Sequence, residues 1–442
     1  MIKPCDTDTK AQSCGNDFFN SKPMSWYQVL VVLMCFILNM NDGIDVLVVS
    51  YTAPEIIAEW GISKGLFGYV FSAGLAGMTL GCLFLAPLAD RMGRRRLFIL
   101  ALFLESAAMI LSSLVDNFNQ LLGLRFLAGL GIGGLLPAMA AVASEISNNR
   151  RKDLSVGFVQ AGWPIGAILM GFFTAWAVPQ FGWRSAYLAA GIASALMFLM
   201  VVLFMPESVD YLLKKQPKHA LARINQILLR TGMRPLDELP KRHVEKEQRR
   251  ISPLSAEFRP ATFRLWIGVF FGFITLYTLI SWVPTIASEA GMPFETATYV
   301  GTVLNIGAFL GSTGIGWLAS KYRIKRLIFY FFLIAFGVMI AYGTLTLNNV
   351  LIFVLTFLIG VFVQGGFNGY WPAATRIYPA EMRTTGVGWA VGVGRFGAVL
   401  GPLVFGLLSD TSLETGVLFL IFSVPLLISG VAVFTIPSRY LQ

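Results

Sequence analysis

Charge is scarce in this sequence. Of 442 residues only 13% are Asp, Glu, Lys or Arg while 56% are hydrophobic, a balance that excludes an ordinary water-soluble domain. Histidine is scarcer still. The only two, His219 and His243, share one polar stretch, so no apolar run carries an imidazole relay and any proton moved through the chain must ride on carboxylates. Cysteine is also sparse: Cys5, Cys14, Cys35 and Cys82 are too scattered for a disulfide framework or a metal site. Residues 1–24 are polar, with no apolar core behind Lys3. That argues against a cleavable secretory signal and leaves the first apolar run to direct its own insertion. The period-2 alternation of barrel strands is missing too, so membrane-spanning helices are expected.

What the sequence has in abundance is long apolar runs. Hydropathy places spans near 26–50, 65–89, 97–115, 121–143, 154–178 and 184–205, then 264–287, 296–320, 327–346, 350–373, 385–408 and 415–436. The expected fold is an all-α membrane protein of twelve transmembrane helices in two six-helix pseudo-repeats, over 25–206 and 264–437. A tail over 1–24, a linker over 207–263 and a short tail over 438–442 complete it. The linker is charged and proline-rich, with room for one or two short helices around 208–230. Basic residues cluster on one side of the spans, in Arg91, Arg94, Arg95 and Arg96, in Arg150, Arg151 and Lys152, in the linker, and in Lys321, Arg323, Lys325 and Arg326. By the positive-inside rule both tails and the linker are cytoplasmic, and the net charge of +10 is a topology signal rather than a nucleic-acid footprint.

The first span carries Asn39, Asn41, Asp42 and Asp45. An Asp at a helix centre costs roughly 2.5–3.5 kcal/mol to insert, so the two acids imply a cavity, a partner or a proton. Spaced i, i+3, they share one helical face with Asn39. The halves also resemble each other: the stretch Ala86 to Arg96, with Asp90, Arg91, Gly93 and Arg94, lines up with Gly316 to Arg326. Such a parallel repeat is the construction of a rocking secondary transporter with its site between the halves.

Here the sequence resembles the major facilitator superfamily. Within it, Asp42-Gly43-Ile44-Asp45 is similar to the signature of the aromatic acid:proton symporters. Supporting stretches are Arg125 with Gly129 to Gly134, Pro206-Glu207-Ser208, Tyr378-Pro379, and Arg383 to Trp389 leading to Gly394-Arg395. Two departures stand out: Ala86 opens the first loop signature where the family has Gly, and Ser320 replaces the acid of the second copy.

The resemblance implies a bacterial inner-membrane, multi-pass importer. It would carry a small aromatic carboxylate, of benzoate or hydroxybenzoate type, with protons by alternating access. No catalytic residue, metal or cofactor is expected, and a monomer is. Alternatives are a symporter for a non-aromatic organic acid such as a muconate-like dicarboxylate, one for a sugar or organic ion, and a drug/proton antiporter. In such a fold Asp42 and Asp45 would couple protons, while Arg125 would neutralise one of them or receive the substrate carboxylate. The competing reading of these charges is a structural ion pair. Arg395 would attract the substrate from the second half or else cap a neighbouring helix, and Glu105 is expected to be structural. Candidates to line an aromatic pocket are Gln160, Trp163, Tyr277, Trp282, Asn305, Gln364, Asn368 and Trp371. Asp90, Arg91, Gly93, Arg94, Glu145, Arg150 and Arg151 are expected to gate, through charged contacts between helix ends. Gly129-x-Gly131-x-x-Gly134 formally matches a dinucleotide fingerprint but follows no strand, so close helix packing is expected of it; Gly162-Trp163-Pro164 predicts a bend.

Overall fold

The computed structural model describes residue 19 and residues 23–240, 252–345, 348–379 and 382–441. His243, Cys5 and Cys14 lie outside the described residues, as does the side chain of Asp90. Twelve long helices make up the body: α1 Trp26–Trp60, α2 Lys64–Leu88, α3 Arg94–Ser112, α4 Phe118–Ile146, α5 Lys152–Phe181, α6 Trp183–Phe204, α7 Arg259–Glu289, α8 Phe294–Leu318, α9 Ile324–Thr344, α10 Asn349–Ile377, α11 Arg383–Ser409 and α12 Thr415–Phe434. Ten are long and apolar enough to cross a membrane by themselves. The other two are α3, which opens on three arginines and holds Glu105, and α8, which is rich in Gly and Thr. Two short linker helices, Val209–Lys215 and Ala220–Arg230, pack against the first half.

Local chemistry sets the helix ends. Ser25 and Gln28 form a capping box that opens α1, and the Gln28 amide also donates to the Ile146 carbonyl at 2.6 Å, tying α1 to the end of α4. Hydropathy ends the first span near residue 50, yet the helix runs on to Trp60. Glu55 and Glu59 end the apolar run without ending the helix; the stop is Gly61, whose φ of 60° forms a left-handed cap. α5 breaks at Ala161, just ahead of Gly162-Trp163-Pro164, and α10 breaks at Gly369.

Helix packing repeats between the halves. α1 packs on α5, α2 on α4 and α3 on α6, and likewise α7 on α11, α8 on α10 and α9 on α12. Glycines let the backbones meet. A Cβ at Gly129 would stand 2.0 Å from the Gly74 carbonyl oxygen and one at Gly133 2.0 Å from that of Met78; in the second half, one at Gly311 would stand 2.0 Å from the Val361 oxygen. The glycine run of α4 is therefore a packing surface. The loop repeat persists in detail too, since Arg95 donates to the Val202 carbonyl at the end of α6 and its counterpart Lys325 donates to the Ile436 carbonyl beyond α12.

Between the halves, α2 meets α11, α5 meets α8 and α1 meets α7. The bonds that join them lie toward the end opposite the linker. Lys64 pairs with Glu289 at 2.7 Å, the Gly65 N–H donates to Asp410 at 3.0 Å, Ser72 donates to the Val399 carbonyl at 2.7 Å, and Ser50 donates to that of Ile280 at 2.6 Å. All four therefore gather toward that end of the interface. The molecule is thus sealed at the end opposite the linker.

Candidate functional site

Asp42 and Asp45 are residues 17 and 20 of the 35 in α1, close to its middle. Successive residues turn by about 100°, so Asn39 and Asp45 lie roughly 60° to either side of Asp42. Both flanking side chains are tied within the first half. Asn39 donates to the Val159 carbonyl of α5 at 2.8 Å, and Asp45 accepts from Arg125 of α4 at 3.0 Å. Asp42 therefore points between α5 and α4, toward the second half. It is buried, and its Oδ1 has no hydrogen-bond partner.

Across the interface stands Arg395, residue 13 of the 27 in α11, also buried and with an unpartnered Nε. Val46, Tyr277 of α7 and Val399 pack against one apolar cluster of Leu75, Met78 and Ile132, and Val46 and Val399 stand one turn beyond Asp42 and Arg395 on the same helical faces, which brings the two charges and Tyr277 to one region between the halves. From Tyr277 a file of rings leads into the second half: Phe273 with its centroid at 5.4 Å, then Phe367 at 4.5 Å from Phe273, then Trp371 at 5.9 Å from Phe367. Tyr277 and Trp371 are half-buried, as are Trp163, Gln364 and Asn368, while Gln160 is exposed. Gln364 donates to Asn368 at 3.4 Å, and Asn368 donates to Ser312 at 2.6 Å; the Gln364 carbonyl oxygen remains unpartnered.

Arg125 is almost fully enclosed. Besides Asp45 it meets Ser112 at 3.4 Å and Met109, and its guanidinium lies 5.1 Å over the Tyr187 ring. The Asp45–Arg125 pair joins α1 to α4 within the first half, and its low exposure strengthens the charge-assisted bond.

Two pocket candidates sit elsewhere than expected. Trp282 is fully buried in the sealed end: its indole N–H donates to the Pro402 carbonyl at 2.9 Å, and its ring lies 5.1 Å from that of Phe71. Asn305 is likewise buried, its amide shared between the Gly301 carbonyl at 2.9 Å and the Tyr51 hydroxyl at 3.4 Å. Both help close the far end because α7 and α8 turn these faces toward the first half.

Among the described gating side chains, the one ion pair stays within the first half. Arg94 pairs with Glu145, and Ser208 donates to Glu145 at 2.6 Å. Arg150 and Arg151 are exposed in the following turn and form no ion pair among the described residues. Arg91 is exposed, and its carbonyl accepts from Tyr211. Glu207 is the organiser that hydropathy did not reveal: it caps the start of α3 by accepting from the N–H groups of Arg94 at 2.8 Å and Arg95 at 3.1 Å. Gly93 allows this, with φ of 98° and space for a Cβ only 2.4 Å from the Glu207 carboxylate. Gly93→Ala is expected to displace Glu207 and to destabilise the purified protein by roughly 1–3 kcal/mol, through backbone strain and the lost cap, which a lowered thermal midpoint reads out. An unchanged midpoint would contradict that cause.

One network was not visible in the sequence. Glu105 of α3 is fully buried, and its Oε1 accepts from Asn41 of α1 and from Ser194 of α6, the latter at 3.4 Å. Ser194 also donates to Asn41 at 2.9 Å. The other Glu105 oxygen is unpartnered, and the residue forms no ion pair among the described residues. Its partners are neutral and lie 64 and 89 positions away, beyond the reach of any local pattern. Glu105→Leu is expected to cost about 1–3 kcal/mol by stranding Asn41 and Ser194. Glu105→Gln, which keeps the shape and one acceptor, should cost less in the same thermal unfolding measurement.

These features fit the comparisons with known proteins. The Major Facilitator Superfamily profile matches residues 31–392. The 4-hydroxybenzoate transporter PcaK of Pseudomonas aeruginosa is 33% identical over 394 residues, covering 88% of this chain and 87% of that protein. The gallate transporter of Pseudomonas putida is 29% identical and covers 98% of this chain and 96% of its own length. In fold, the chain is similar to the inward-open xylose transporter XylE of E. coli, with a TM-score of 0.73 at 17% identity over 92% of this chain and 96% of that one. A helical membrane protein of two six-helix halves, with these relatives, is a transporter and not an enzyme. The chain belongs to the Major Facilitator Superfamily and, within it, groups with the transporters of aromatic acids.

Proposed function

We propose that this protein imports an aromatic carboxylate together with protons across a bacterial inner membrane, with the linker end facing the cytoplasm and the sealed end facing outward. The observation that carries the reading is that opposite halves each bury a charge with an unpartnered polar atom, Asp42 and Arg395, beside the cluster on which Tyr277 packs. A substrate carboxylate satisfies the free guanidinium donor of Arg395. Its ring then lies against Tyr277 and Phe273, the start of the aromatic file, where offset or edge contacts are worth about 0.5–1.5 kcal/mol each beyond burial. Relatives named for 4-hydroxybenzoate, gallate and benzoate transport support this substrate class.

Protons enter through the acids. Bringing a monoanion into a negative-inside cell costs about 2.3 kcal/mol per 100 mV, and one accompanying proton removes that cost. Asp42, free of any cation on its own half, is the group placed to take the proton as the anion meets Arg395. Asp45 is held by Arg125 until the site rearranges. The protein works as a monomer without a cofactor, the proton gradient supplying the energy.

The test is a competition panel on the purified, reconstituted protein, using labelled 4-hydroxybenzoate. Benzoate-type acids should compete at least tenfold better than aliphatic mono- and dicarboxylates of similar size, and organic cations should not compete. Equal competition by aliphatic acids would remove the aromatic reading.

A further inference from the structure

A cavity of about 350 Å³ opens at the linker end of the first half, apart from the transport site. Its walls bring four arginines together from two elements: Arg95 and Arg96 from the start of α3, and Arg223 and Arg230 from the linker helix Ala220–Arg230. The linker helix presents Arg223, Gln226 and Arg230 to it at i, i+3 and i+7, which is one helical face. The single carboxylate in the wall, Glu207, is already committed to the N–H groups of Arg94, Arg95 and Ser208. Four cations against one acid leave a formal charge of +3 (4 − 1) around the cavity. Arg95 donates from Nη2 to the Val202 carbonyl, but its Nε is buried with no partner. Arg230 stacks 5.5 Å over Tyr27, the α1 residue that closes the cavity on the other side.

The position of the cavity says what fills it. Its floor is the end of α6, where Leu203 and Phe204 are 61% and 56% exposed on the outer surface of the bundle. Trp26 at the start of α1 and Leu229 on the linker helix are 81% and 63% exposed beside it. The basic cavity therefore begins where the apolar collar ends, at the level of lipid headgroups. Charge that served topology alone would have no reason to converge on one concave site.

We propose that this cavity binds a phosphate group, supplied by the headgroup of an anionic phospholipid whose chains run along α6, and that the bound lipid fastens the linker helix to the first half. The shared chemistry is a phosphate oxyanion held by arginine, so a soluble phosphate is the other possible source. Thermal midpoints of the full-length protein in detergent, with added phosphatidylglycerol, phosphatidylcholine or inorganic phosphate, separate the two. Phosphatidylglycerol should raise the midpoint by several degrees and phosphatidylcholine should not. Arg223→Gln with Arg230→Gln, both exposed positions, should abolish the rise and lower by one the phosphatidylglycerol molecules retained in native mass spectrometry, whereas the double Lys variant keeps part of each effect. A rise with inorganic phosphate but not with the lipid supports the phosphate site and assigns it a soluble ligand. If parent and double Gln variant respond alike to every additive, or nothing moves the midpoint, the proposal is overturned.

Discussion

Asp42→Asn is expected to fold, to exchange substrate across a vesicle membrane, and to fail to concentrate it. The variant keeps the side-chain shape and loses only the ability to take and release a proton. Its neighbours on the helix, Asn39 and Asp45, remain tied to α5 and α4, so the face is undisturbed. Removing a buried acid lifts an insertion cost of roughly 2.5–3.5 kcal/mol, so stability should hold or rise. For one proton per substrate the parent should accumulate substrate about tenfold per unit of imposed pH difference. In the variant that ratio should fall to about one, with counterflow exchange persisting. Accumulation by Asp42→Asn at the parent ratio would remove Asp42 from the coupling step.

Arg125→Leu should have the largest effect on stability. It leaves Asp45 buried without its cation and empties the space the guanidinium fills between Tyr187 and Met109, and breaking one side of a buried ion pair costs about 3–5 kcal/mol. Replacing both partners by neutral groups, as in Asp45→Asn with Arg125→Gln, restores a hydrogen bond between α1 and α4 and should recover most of the loss in thermal unfolding. Transport separates the two roles open to the pair. If the pair takes part in the cycle, the neutral double variant is stable but does not accumulate substrate. A structural lock between α1 and α4 predicts that stability and accumulation return together, and that result would assign Asp45 and Arg125 to the scaffold.

How much of this was legible in the sequence follows the range of each signal. The twelve spans, the two halves and the loop repeat come from local hydropathy and from a self-similar stretch, and close packing on α4 was visible in the Gly129/Gly133 spacing, whereas its partner α2 was not. The pairing of Asp45 with Arg125 could be anticipated from depth, since one sits mid-way along α1 and the other near the start of a helix running the opposite way. The end of α1 was missed because hydropathy senses lipid, whereas the helix stops where Gly61 turns left-handed. Rotation about each helix axis was the larger gap. It decides that Asn41 turns to Glu105 and Ser194 while Asp42, one residue on, keeps an unpartnered oxygen. It also buries Trp282 in the sealed end and builds the file of Phe273 and Phe367, two residues that in sequence look like ordinary membrane phenylalanines. The closure by Lys64, Glu289, Gly65 and Asp410 was hidden for the same reason, because each lies at the end of a span and finds its partner hundreds of positions away.

The most direct test of the central claim is a pH recording. Lightly buffered vesicles containing the purified protein, with no initial gradient, are given 4-hydroxybenzoate from outside while the external pH and the entry of labelled substrate are followed together. Coupled entry predicts that the external medium turns alkaline in step with uptake, beyond what protein-free vesicles show, and that the Asp42→Asn variant gives no such shift. Substrate entering the protein-containing vesicles at full rate with no movement of protons would contradict the account.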